Sequence, residues 1–142
     1  MHIVLVEPEI PPNTGNVARL CAATHSTLHL IEPLGFRLDD AQLKRAGMDY
    51  WHHVQWRRWP DWSAFQKAMP EGARLWLVES QGPQLYTEVR FAPEDYLVFG
   101  RETAGLPRSL LESFARGRLA ISRNMRADIR NWPNASVSSS RP

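Results

Sequence analysis

The chain has one cysteine among its 142 residues, Cys21, so it can form neither an intrachain disulfide nor a zinc site built from several thiolates. It contains no apolar run of membrane-spanning length, and its first residues enter a short strand-like stretch without a basic region and cleavage site. The expectation is a cytoplasmic protein with no membrane contact. A dominant charge is missing as well. With 17 Lys+Arg against 15 Asp+Glu the formal net charge is +2, and a pI near 9.0 permits nucleic-acid binding without arguing for it. Histidines at metal-ligand spacing are also lacking, since His25 and His29 straddle a break between elements, and the adjacent His52 and His53 would point to opposite faces of a strand. No metal site is expected. No internal repeat is visible, and the length is that of one domain with a single core.

What is present is a series of apolar runs separated by loops rich in Gly and Pro. His2–Val6, Thr27–Ile31, Arg74–Val78, Tyr96–Phe99 and Arg118–Ile121 read as strands, and a further strand is expected near His52–Gln55. Between them, a helix capped by Asn13 or Thr14 runs to about Thr24, with Val17, Leu20, Cys21 and Thr24 on one buried stripe. Another helix starts at Asp39 or Asp40 and ends at Gly47. A third, capped by Asp61, turns Trp62, Phe65 and Met69 inward, and a fourth covers Pro107–Phe114. Strands alternating with helices imply an α/β fold with a mostly parallel sheet covered on both faces.

Chemistry is concentrated where strands end. Tyr96–Phe99 is an unbroken apolar run that stops at Gly100, and Glu102, Gly105 and Pro107 follow at once. Ligands of open α/β sheets bind just beyond such strand ends, although an ordinary strand-to-helix turn would read the same way. In the first loop, Pro8, Pro11 and Pro12 restrict the backbone before Asn13 and Asn16, and Arg19 lies three residues beyond Asn16 on the exposed side of the helix. Free N–H groups at a helix mouth favour anions, so a phosphate or ribose contact is one reading; simple capping with a solvated Arg19 is the other. Trp56-Arg57-Arg58-Trp59 interleaves aromatic and basic residues, which suits either single-stranded RNA or a packed core or dimer surface. Ser80 has no His and Asp partners in motif spacing, which disfavours a hydrolase triad.

Two of these stretches carry a family resemblance. Pro8-Glu9-Ile10-Pro11-Pro12-Asn13-Thr14-Gly15-Asn16-Val17-Ala18-Arg19 resembles the first signature of the SPOUT RNA methyltransferases, whose core is Asn-x-Gly-x-x-x-Arg. Phe99-Gly100-Arg101-Glu102-Thr103-Ala104-Gly105-Leu106-Pro107 resembles the second. Glu32-Pro33-Leu34-Gly35-Phe36 and Arg45-Ala46-Gly47-Met48-Asp49-Tyr50 narrow the match to the small tRNA (cytidine/uridine-2′-O-)-methyltransferases that act at the wobble nucleotide of leucine tRNAs. The resemblance runs from Met1 to about Arg130.

It implies a SPOUT α/β knot, with a C-terminal trefoil knot that holds S-adenosylmethionine, and a homodimer with its sites at the interface. The anticodon arm of leucine tRNAs is the implied partner. By position, Val78, Glu79, Gly100, Ile121 and Asn131 become candidate cofactor contacts, largely through backbone. Arg19, Asn13, Asn16 and Glu102 become the candidate catalytic group: Arg19 either activates the 2′-hydroxyl or positions it, the asparagines shape the loop, and Glu102 orients partners by accepting hydrogen bonds. The sequence departs from the family after Arg130. Residues 131–142 form an atypical tail, where Pro133 and a serine run argue against a packed helix and the text reads as if out of register with a third family signature. The expected organisation is one domain over 1–130 and a poorly ordered tail. An inactive or degenerate RNA-binding homologue lacking a complete cofactor pocket is the alternative.

Overall fold

The computed structural model describes residues 1–39, 41, 45, 51–80, 82, 84–114 and 118–120. An inner strand of its sheet is β1 (His2–Val6), whose alternating side chains serve two cores. Ile3 and Leu5 join Leu28, Leu30 and Leu97 under α1 (Pro11–Thr24), while Val4 and Val6 join Ile31, Leu77 and Val98 on the opposite face. A strand buried on both sides needs an uninterrupted apolar run, and this is what the sequence supplies. β2 (Thr27–Ile31) and β3 (Trp56–Trp59) lie to one side of β1. β4 (Leu75–Glu79), β5 (Gln84–Leu85), β6 (Tyr96–Phe99) and β7 (Arg118–Ala120) lie to the other, in the order β3-β2-β1-β6-β4-β7-β5. Every one of these strand pairings is parallel, so all carboxyl ends meet at one edge. The chain order reverses direction between β1 and β6, which makes the loops after those two strands the walls of a crevice.

Three expectations are corrected. The strand expected near His52–Gln55 is instead β3 at Trp56–Trp59, preceded by a single 3₁₀ turn at Trp51–His53. The reason is packing: Trp56 lies 4.9 Å from Trp51 in the first core, and Trp59 lies 5.7 Å from Phe65 in the second. Both rings of the aromatic and basic cluster are therefore core elements. The arginines between them face outward, Arg58 in an ion pair with Glu32.

Helix α1 begins at Pro11, two residues before the expected caps, with prolines at its first positions and Ile10 as an N-cap that offers no side-chain acceptor. Proline is suited to that place because it lacks an N–H that would otherwise be orphaned and its φ is already helical. The helix's buried residues are Thr14, Gly15, Ala18 and Cys21, not the stripe through Val17, Leu20 and Thr24. Small side chains at 14, 15 and 18 let the helix approach the sheet closely, and this rotates it toward them. The shorter helices are α2 (Trp62–Ala68), where the Asp61 carboxylate accepts from Ala64 N at 2.7 Å as expected, and α3 (Arg108–Ser113). The helix expected from Asp39 or Asp40 to Gly47, the knot and residues 131–142 fall wholly or largely outside the described residues.

Candidate functional site

The loops after β1 and β6 are bound to each other across the crevice. Glu102 accepts from Glu9 N at 2.8 Å and from Ile10 N at 3.2 Å. Glu9 returns the contact: its carboxylate accepts from Thr103 Oγ1 at 2.8 Å and from Thr103 N at 3.2 Å. Glu7 pairs with Arg101. The sequence reading singled out Glu102 alone; Glu7, Glu9, Arg101 and Thr103 belong to the same structure. Their signal was a charge pattern, Glu-x-Glu after one strand and Arg-Glu-Thr after another, which means nothing until topology sets the strands side by side.

Glu102 therefore holds the two residues just before α1, whose first turn has no side-chain cap. The helix mouth differs from the expected anion site: residues 11 and 12 are prolines without N–H groups, the N–H groups of Asn13 and Thr14 bond to Ile10 O, and a carboxylate already occupies the opening. A phosphate contact in this region has to come from side chains.

The second loop is closed on itself. Arg101 and Gly105 exchange two backbone hydrogen bonds of 3.0 and 2.9 Å, so the chain doubles back within a few residues. A Cβ on Gly100 would come within 2.1 Å of Gly105 C and Leu106 N, so only glycine permits this fold-back. Gly105 has φ +71°, a left-handed conformation that glycine adopts freely. Glu79, at the end of β4, accepts from Leu106 N at 3.0 Å and anchors the loop on its other side.

The structure thus brings most of the predicted residues to one edge. Asn13, Asn16, Gly100 and Glu102 line one cleft together with Pro8, Leu5, Val17 and Phe99. Val78 stands opposite Phe99 in the register of β4 and β6, so Glu79 and Gly100 emerge side by side. Arg19 is not in the cleft lining; it is exposed on α1, one turn beyond Asn16. Ile121 and Asn131 lie outside the described residues. Thr14 also lines the cleft, buried to 1% exposure, with its hydroxyl lacking a hydrogen-bond partner among the described residues. Cys21 is inert in this setting, its thiol pushed up to about 12 by burial. Among the described residues, no group of three His, Cys, Asp or Glu could hold a metal ion, and no helix is long and apolar enough to cross a membrane.

The model of the SpoU rRNA Methylase family matches residues 1–135. A tRNA (cytidine(34)-2′-O)-methyltransferase of Burkholderia pseudomallei strain 1106a is 53% identical over 115 residues, covering 80% of this chain and 74% of its own length. A solved structure concerned with 2-OH methylation of C/U34 on tRNA superposes with a TM-score of 0.81 at 42% identity, over 96% of this chain and 88% of that one. The SpoU methyltransferase AviRb from Streptomyces viridochromogenes, in complex with the cofactor AdoMet, shares the fold at 18% identity, with a TM-score of 0.70 over 99% of this chain and 59% of its own.

Proposed function

Because this chain belongs to the SpoU rRNA methylase family, we propose that it transfers a methyl group from S-adenosylmethionine to the ribose 2′-hydroxyl of nucleotide 34, the wobble position, of a tRNA. The observation that carries this reading is the joining of the two signature loops at the carboxyl edge of the sheet, with the helix bearing Arg19 starting from the junction. The anticodon arm of leucine tRNAs is the finer substrate in this proposal, in the cytoplasm, with a homodimer as the working unit.

The residues present fit the cofactor. β4 and β6 end in register, so two backbones run side by side where α/β sheets take ligands, and backbone groups can recognise an adenine edge without side-chain identity. Val78, Glu79 and Gly100 would hold it. S-adenosylmethionine, when bound, supplies a methyl group on a positively charged sulfur. Arg19 provides the charge on the other side of the reaction. A guanidinium keeps its protons, so its role is to bind the phosphate beside the target ribose, orient the 2′-hydroxyl and stabilise the negative charge that develops on its oxygen as the proton passes to water. Asn13 and Asn16 shape the cleft wall, and Glu102 holds the start of α1 against the second loop.

The test is incubation with methyl-labelled S-adenosylmethionine and an unmodified leucine tRNA transcript, followed by nuclease mapping of the label. Label on the ribose of nucleotide 34 is expected. Label elsewhere, or none from a folded protein that binds the cofactor, overturns the proposal.

A further inference from the structure

We propose that Glu9 is a positioning residue for methyl transfer, coupling the cofactor side of the site to Arg19 through the loop clasp. The inference rests on the methyltransferase reading above and adds to it a residue that would act through Thr103 and the second loop.

The second loop is gripped from two directions. On one side Glu79, at the strand end assigned to the cofactor, holds Leu106 N at 3.0 Å. On the other, Glu9 holds both the backbone N–H and the hydroxyl of Thr103. Between these grips the loop is stiff, because Arg101 and Gly105 are cross-bonded and Gly100 packs against their backbone. Glu9 is itself wedged in place: its N–H is bound to Glu102 at 2.8 Å, and a Cβ on Gly35 would reach its Cα at 2.7 Å. A displacement of the second loop is therefore passed to residue 9, two positions before α1 begins.

The start of the helix is tied to the second loop at two points, Glu102 on Ile10 N and Glu9 on Thr103. Its buried face consists of the small side chains of Thr14, Gly15, Ala18 and Cys21, with Val17 packed against the same core. Arg19 lies eight residues beyond Pro11, about 12 Å along a rigid helix. A tilt of roughly 5° at the clasp moves Arg19 by about 1 Å, and an error of that size can cost on the order of a hundredfold in rate. A clasp that only stabilised the fold would not act selectively on turnover.

The experiment compares wild type with Glu9→Ala, Glu9→Gln and Thr103→Val, all as the full chain. Glu9→Ala is expected to lower kcat by about tenfold or more with the cofactor Kd within about twofold of wild type. Thr103→Val falls in the same direction, and the double variant is no worse than Glu9→Ala alone, because both changes remove one contact. Glu9→Gln, whose amide oxygen still accepts from Thr103, recovers most of the rate. In parallel, hydrogen exchange over residues 11–24 is measured with and without S-adenosylmethionine; cofactor is expected to increase protection of α1 in wild type but not in Glu9→Ala. An unchanged kcat in Glu9→Ala, or a fall matched by equal losses of melting temperature and cofactor affinity that Gln does not rescue, overturns the proposal. If wild type itself transfers no methyl group, the methyltransferase reading fails, and the exchange experiment still decides the coupling: equal cofactor-induced protection in wild type and Glu9→Ala overturns it.

Discussion

Where the strands of the sheet begin, the Asp95 carboxylate is 2% exposed and accepts from Trp76 Nε1 at 2.9 Å and Ala92 N at 2.8 Å, with Arg74 at 3.1 Å. Where the strands finish, the carboxylates of Glu7, Glu9 and Glu102 bridge two loops and remain partly in water. Both ends use acidic groups to join segments distant in sequence, but the consequences differ. A buried carboxylate with three donors is expensive to leave half-satisfied, so the first network guards stability. Exposed hydrogen bonds contribute little net free energy, so the second is better suited to fixing geometry than to holding the fold.

A second network, a chain of aromatic rings, runs across one face of the sheet from Trp59 at the end of β3 to His2 at the start of β1. Trp59 Nε1 donates to His29 Nδ1 at 3.1 Å, which leaves His29 Nε2 to donate to His2 Nδ1 at 3.0 Å, and His2 Nε2 faces Glu94. His2 stacks on Tyr96 at 4.2 Å. Both nitrogens of His29 thus have an assigned role, and a second proton has no place on that ring.

Two experiments would sharpen or break this division. The larger effect belongs to Asp95→Ala, which leaves the Trp76 and Ala92 donors without their acceptor; a loss of about 2 to 3 kcal/mol in urea unfolding is expected. Methyl transfer per folded molecule should stay near wild type. A variant of normal stability with reduced turnover would erase the distinction between the two ends.

The smaller effect is a pH dependence. The pKa of His29 is pushed down to about 4, first by burial and then by its neighbours His2 and Arg57. An unfolded histidine titrates near 6.5, so between these values the unfolded chain takes up a proton that the folded chain refuses. Stability from this site is complete above about pH 6.5 and is lost as pH falls toward 4, by on the order of 3 kcal/mol. Melting temperatures of wild type and His29→Gln at pH 7 and 5 test this: the drop should be clearly smaller in the variant. Equal drops would remove His29 from the account.

Much of this architecture was legible in the sequence, for identifiable reasons. β1, β2, β4 and β6 are buried on both faces, so their apolar runs are continuous and hard to mistake. Gly100 and Gly105 stood out because the backbone they permit excludes other residues. β3 was misplaced because it is an edge strand whose tryptophans serve opposite cores and whose arginines meet water, a pattern that also describes an RNA-binding surface. The start of α1 was misplaced because the helix opens on two prolines with no side-chain cap, and the carboxylate that fixes Ile10 N, Glu102, is 92 residues away, where no local pattern announces it. The Glu9–Thr103 contact spans 94 residues and was invisible for the same reason. Asn13, Asn16, Gly100 and Glu102 nonetheless line one cleft.

The central claim is that the loop after β6 serves the cofactor while the helix after β1 serves the reaction, and Arg19→Ala tests it most directly. Transfer to tRNA and the rise in melting temperature on adding S-adenosylmethionine would be measured on the same preparation. The account predicts that transfer falls by about a thousandfold or more while the cofactor-induced rise is unchanged. Transfer near the wild-type rate, or loss of the cofactor effect in a folded variant, would contradict it.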